Sequence, residues 1–144
     1  MNYIKKLIFI FLVFFCSALV AADDQKNLDD FVSRFKSAVQ SKDQESLMKM
    51  NYWSGLSSGQ RESIENSFVD LAQKGIKNLN VRKIENGSTI EFKRGDLIFA
   101  PSLPPVAQLF VEVNTDQEFR GGYSFYVGRR NGAMKFCHIV PKNL

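Results

Sequence analysis

His138 is the only histidine in the chain, and Cys137 stands beside it. A thiol and an imidazole together could make a nucleophile and its base. Neighbours on a strand project to opposite faces, so these two side chains could not meet without a bulge. His138 alone could serve as a general base if a partner oriented its ring and set its tautomer. The strand expected over Ala133–Val140 contains no acid, which leaves Asp96, Glu91 and Glu112 as carboxylates that could reach it from elsewhere. The simpler reading makes His138 a partly buried, hydrogen-bonded ring and Cys137 a buried apolar residue. No catalytic residue is assigned on this basis. One histidine and one cysteine beyond Ala22 cannot build an ordinary zinc site, so no metal or cofactor is expected.

Other residues that could do chemistry have plainer readings. Trp53, beside Tyr52, could stack on an apolar ligand, or it could plug one end of the core. Gly121-Gly122 lacks the following helix and lysine of a phosphate loop and reads as a bend entering a strand. Arg120, Arg129 and Arg130 read as a solvated hairpin tip.

The N-terminus determines where such a site would operate. Lys5 and Lys6 precede an apolar run over Leu7–Val20, and Ala21-Ala22 then meets Asp23-Asp24. This is the pattern of a secretory signal peptide at 1–22, leaving residues 23–144 as one domain in the periplasm or outside the cell. The run is too short for a comfortable membrane span, which needs ~20 apolar residues, and none is expected after cleavage. Cys16 lies within it behind Phe14-Phe15, where a lipid-attachment site would want small residues. Cys137 is then the only thiol left, and no intrachain disulfide can form. Loss of Lys5 and Lys6 leaves seventeen basic against fifteen acidic residues, interleaved, so nucleic acid is not an expected partner.

Helices come first and strands later, the order of an α+β domain. Leu28, Phe31, Val32, Phe35, Ala38 and Val39 form one stripe at helical spacing, predicting a helix over Leu28–Gln40. A short helix follows over Gln44–Met50. Ser57 and Gln60 have capping-box spacing before a third helix over Gly59–Lys74, and Gly75 is placed to end it. Its expected buried stripe is Ile64, Phe68, Leu71 and Ala72. Strands are predicted over Leu79–Glu85, Thr89–Lys93, Leu97–Ala100, Val106–Val113, Tyr123–Arg129 and Ala133–Val140. Asn86-Gly87 and Arg94-Gly95-Asp96 are turn signals between the earlier ones.

Asn131-Gly132 is the strongest hairpin signal, and as a two-residue turn it sets a register. Val127 then faces Phe136, Phe125 faces His138, and Tyr123 faces Val140 on one inward face. A one-residue slip would turn every side chain over.

Three features carry a resemblance: the Phe31–Val39 helix, Ser41-Lys42-Asp43 before the next helix, and Tyr52-Trp53-Ser54-Gly55-Leu56 before the third. The late strands add Tyr123–Gly128 and the Asn131-Gly132 turn. In this layout the chain resembles the NTF2-like (cystatin-like α+β cone) superfamily. The resemblance implies N-terminal helices packed on a curved antiparallel sheet that encloses a conical pocket. It implies either a non-catalytic binding module or an isomerase or dehydratase. The leading expectation is the binding module, holding a small apolar ligand in the cone or an envelope protein on the sheet face. Trp53, Phe125, Val127, Met134, Phe136 and His138 are the candidate ligand-binding residues. The enzyme alternative would use His138 or a pocket carboxylate as base. Dimerisation through the sheet face is a further implication of the resemblance.

Overall fold

Ser57 opens the third helix as its spacing predicts. Its hydroxyl accepts from the Gln60 N–H at 3.3 Å, while the Gln60 side-chain oxygen accepts from the Ser57 N–H at 2.9 Å. Two backbone donors that a helix start would leave unpaired are thereby satisfied.

The computed structural model describes residues 23–85, 87–115 and 121–142. The expected signal segment 1–22 lies outside them, as do Asn86, Arg120 and most of the turn expected over Asn114–Glu118. The chain divides into two compact units, Met1–Ser33 and Arg34–Leu144. In the first, residues 23–33 are helical, and Asp29 accepts a hydrogen bond from the Gln25 side chain at 2.7 Å. This helix, α1, continues to residue 40.

Among its described residues the second unit adds two helices, α2 (Gln44–Lys49) and α3 (Ser58–Lys74), and seven strands. The strands are β1 (Ile76–Lys83), β2 (Phe92–Arg94), β3 (Leu97–Pro101), β4 (Pro105–Val113), β5 (Gly122–Arg130), β6 (Ala133–Cys137) and β7 (Ile139–Pro141). The named strands pair antiparallel, in a four-stranded sheet β1-β4-β5-β6 and a three-stranded sheet β2-β3-β7, and an isolated parallel bridge joins Asn51 to Phe136. The α+β class matches the expectation, whereas the single sheet divides into two. The strand expected over Thr89–Lys93 shrinks to Phe92–Arg94, and β1 starts three residues early because Gly75 passes straight from helix to strand. Gly75 has φ 75° and ψ 164°, so its φ is left-handed but its ψ is extended.

Asn131 (φ 50°) and Gly132 (φ 78°) form the two-residue turn, and both need positive φ there. Pairing then follows the predicted register from Arg130↔Ala133 through Val127↔Phe136 to Tyr126↔Cys137. Beyond that point the expectation is corrected. Phe125 pairs with Leu109 in β4, Val140 pairs with Ala100 in β3, and neither the Phe125–His138 nor the Tyr123–Val140 pair forms. His138 is the residue where the chain leaves one sheet for the other. Its N–H donates to Ser102 Oγ at 3.1 Å and its C=O accepts from the Ser102 N–H at 2.8 Å, so both of its own backbone groups are satisfied. Sequence alternation runs unbroken through His138 and contains no sign of Ser102.

The core of this unit lies between α3 and one face of the larger sheet. Phe35, Phe68, Leu71, Leu109, Val127 and Phe136 are fully buried there. Each such side chain contributes roughly 1.5–3 kcal/mol. The opposite face is closed near β5 and β6 by Leu103. A Cβ on Gly128 would come within 2.8 Å of Leu103 Cβ and 2.9 Å of the Pro104 carbonyl oxygen, so only glycine fits.

Candidate functional site

Asn51 is almost fully buried at the end of α2. Its side-chain amide donates to the Leu47 carbonyl at 2.7 Å, which turns Oδ1 toward His138. His138 Nε2 lies 2.8 Å from that oxygen and must be the donor, because Oδ1 can only accept. The ring is thus held as the Nε2–H tautomer, with its lone pair on Nδ1. Trp53 stacks on the same ring at 5.9 Å between centroids and 25° between planes, and its indole N–H donates to the Met48 carbonyl at 3.2 Å. Burial pushes the imidazole pKa down to about 4, so the ring is neutral at pH 7.

The 50–52 segment also anchors the sheet edge. Phe136 N–H donates to the Met50 carbonyl at 2.8 Å, and Tyr52 N–H donates to the Phe136 carbonyl at 2.9 Å. The elements that position His138 are therefore α2, the aromatic loop after it, and the Ser102 bend.

A cleft of about 370 Å³ opens between α3 and the 123–126 and 137–139 segments. Leu56, Ile64, Phe125 and Ile139 are its aliphatic and aromatic lining, and Gln60, Ser63 and His138 are among its polar lining. Ile64 is where the expected α3 stripe departs from the core. It is only half-buried, whereas Phe68, Leu71 and Ala72 are buried.

Of the six candidate residues, Phe125 and His138 border this cleft. Trp53 reaches it through His138. Val127, Met134 and Phe136 are buried. Phe136 meets Phe125 at 5.2 Å and Phe35 at 5.0 Å, and Phe68 stacks on Phe125 at 5.0 Å. Aromatic rings thus fill the interior behind the cleft.

Tyr123 is a further lining residue. Its hydroxyl donates to Asp70 Oδ2, and Lys74 Nζ lies 2.8 Å from the same oxygen. The bonds from Lys74 and Tyr123 hold the Asp70 carboxyl below the usual carboxylate range. Burial, reinforced by Asp70, pushes the Tyr123 phenol up to about 12. Sequence reasoning missed Asn51 and this Tyr123–Asp70 pair. A signal for the second existed: Gly59, Ser63, Ser67 and Asp70 follow one another along one side of α3 at helical spacing.

Cys137 is buried, and burial pushes its thiol up to about 12, far from a thiolate nucleophile. No cluster of three or more His, Cys, Asp or Glu side chains suited to a metal occurs among the described residues. Among the same residues, no helix is long and apolar enough to cross a membrane.

No family model matches the chain, and no curated protein matches it. Among solved structures it is similar to a Campylobacter jejuni protein described as an NTF2-like transpeptidase. The match spans 76% of this chain and 96% of that one, at 12% identity and a TM-score of 0.40. A likeness at that score carries no argument about chemistry.

Proposed function

We propose that the chain is an exported binding module that holds a small apolar ligand in the Phe125–His138 cleft. The observation that carries this reading is the cleft's lining. Leu56, Ile64, Phe125 and Ile139 offer apolar surface, and the one histidine is half-buried, neutral and oriented by an amide instead of a carboxylate. Pockets of this kind draw affinity from apolar contact and orientation from a few polar groups, here Gln60, Ser63 and His138. Phe136 acts from behind, packing on Phe125, while Val127 and Met134 belong to the buried core. Trp53 holds the His138 ring from its other side. The helices-then-strands order supports placing the domain with the NTF2-like cones. Residues 1–22 act as its signal peptide, and the periplasm or the exterior is its location. The outer sheet face around Phe110, which is 38% exposed, is the surface for a second copy or an envelope protein.

A second reading has one observation in its favour. Tyr123, which lines the cleft, forms with Asp70 beside it a hydroxyl–carboxylate pair, as an isomerase or dehydratase would need. The bonds that lower the Asp70 pKa also make it a weak base, and the partner of His138 Nε2 is an amide, not a carboxylate. Both features favour binding over proton transfer.

Native mass spectrometry of the mature protein from the exported fraction tests the reading. The expected result is an adduct of small-molecule mass that Ser63→Trp, which fills the cleft from an exposed helix position, removes. An adduct that persists in that variant would place the ligand elsewhere.

A further inference from the structure

A second and larger cleft, about 580 Å³, opens between the C-terminal ends of α1 and α3 and the start of β1. Lys36, Lys42, Lys74 and Lys77 all line it, and no aspartate or glutamate does. Lysines near helix C-termini ordinarily complement the macrodipole and the unpaired carbonyls there. Here several of those carbonyls already have backbone or side-chain amide donors instead of a lysine. Lys42 N–H donates to the Val39 carbonyl at 3.1 Å, and Asp43 N–H to the Ala38 carbonyl at 2.9 Å. On α3, Gly75 N–H donates to the Leu71 carbonyl at 2.8 Å, and Asn114 Nδ2 to the Lys74 carbonyl at 3.0 Å.

The nearby acids cancel the charge only in part. Asp43, beside Lys42, stays ionised while accepting from the Ser46 N–H at 3.0 Å and offsets one positive charge. Asp70 pairs with Lys74 at 2.8 Å and Glu112 with Lys77 at 3.2 Å. Lys36 and Lys42 make no ion pair among the described residues, so the cleft keeps a net positive charge. Lys42 is moreover in the left-handed conformation, φ 57°, where glycine or asparagine is the low-cost residue. Helix termination alone does not call for a lysine there.

We propose that this cleft binds a small multivalent anion bearing phosphate or carboxylate groups. Lys36 and Lys42 supply the main attraction, and Lys74 and Lys77 flank them. The site is independent of the Phe125–His138 cleft.

Calorimetric titration of the mature protein at low salt with inorganic tripolyphosphate, and separately with citrate, tests this. At least one anion binds one-to-one, and its affinity falls as salt rises. Lys36→Gln and Lys42→Gly each weaken it by about tenfold or more, the loss of ~1.4 kcal/mol expected for one close charge. Lys93→Gln, an exposed change on β2, leaves it unaltered. Lys42→Gly also relieves the strained φ, so it raises the melting temperature while weakening the anion. A general loss of folding cannot produce that combination. Tighter tripolyphosphate binding identifies a phosphate source, and tighter citrate binding a carboxylate source. No binding of either anion up to about 5 mM, weaker than any useful affinity, would overturn the proposal. So would affinities unchanged in Lys36→Gln and Lys42→Gly.

Discussion

His138 Nε2 donates to Asn51 Oδ1 across 2.8 Å, and Asn51 is itself locked by the Leu47 carbonyl. An amide at this place orients the ring without charging it. Replacing Asn51 with aspartate converts the contact to an ion pair and stabilises the protonated ring. The His138 pKa should then rise from about 4 toward or beyond its ordinary 6.5. Since His138 is the only histidine, one imidazole signal in an NMR titration of untagged protein reads this directly. An Asn51→Asp pKa that stays near 4 would contradict the assigned hydrogen bond.

The same residue sets an acid limit on stability. Its folded pKa lies below its unfolded value, so between about pH 4 and 6.5 the unfolded chain binds more protons than the native one. Stability should hold above pH 7 and fall as pH drops through that window. Full burial would make the loss about 3 kcal/mol, and the partly open site brings it to about 1–2 kcal/mol. His138→Gln should flatten the window in urea midpoints measured against pH. Asp43 and Asp70, whose pKa values are lowered, lose their contributions only at more acid pH.

Gly128 and Gly132 make a matched pair. A Cβ at Gly128 meets Leu103 and the Pro104 backbone, whereas one at Gly132 meets nothing but sits at φ 78°. Gly128→Ala should cost about 1–3 kcal/mol through overpacking. Gly132→Ala should cost about 1 kcal/mol through backbone strain alone. Thermal unfolding of the two variants ranks them, and the reverse order would mean that the Leu103 segment yields easily.

Tyr123 should titrate near 12 in the native protein, seen as phenolate absorbance. Asp70→Asn should bring this value down while burial keeps it above 10. A Tyr123 that titrates near 10 in the unaltered protein would mean that neither its burial nor its pair with Asp70 persists in solution.

Much of the fold was legible because it follows from local chemistry. Ser57 and Gln60 announce the start of α3, and Asn131-Gly132 sets the β5–β6 register through Tyr126↔Cys137. The failure came at His138. Its alternation fits a continuing strand, but Ser102, thirty-six positions earlier, takes both of its backbone groups and diverts the chain. The site was legible in the same measure. Phe125 and His138 border the cleft, but the pairing expected to bring them together does not exist. Asn51 left no trace, since a buried asparagine reads in sequence like any loop residue. Its role depends on a partner eighty-seven positions away.

Whether the Phe125–His138 cleft takes an apolar ligand is decided by titrating the mature protein with N-phenyl-1-naphthylamine, an uncharged apolar fluorophore. Saturable one-to-one binding, abolished by Ser63→Trp and unaffected by Lys36→Gln, is the predicted result. Absent binding, or binding that Ser63→Trp leaves intact, would contradict it.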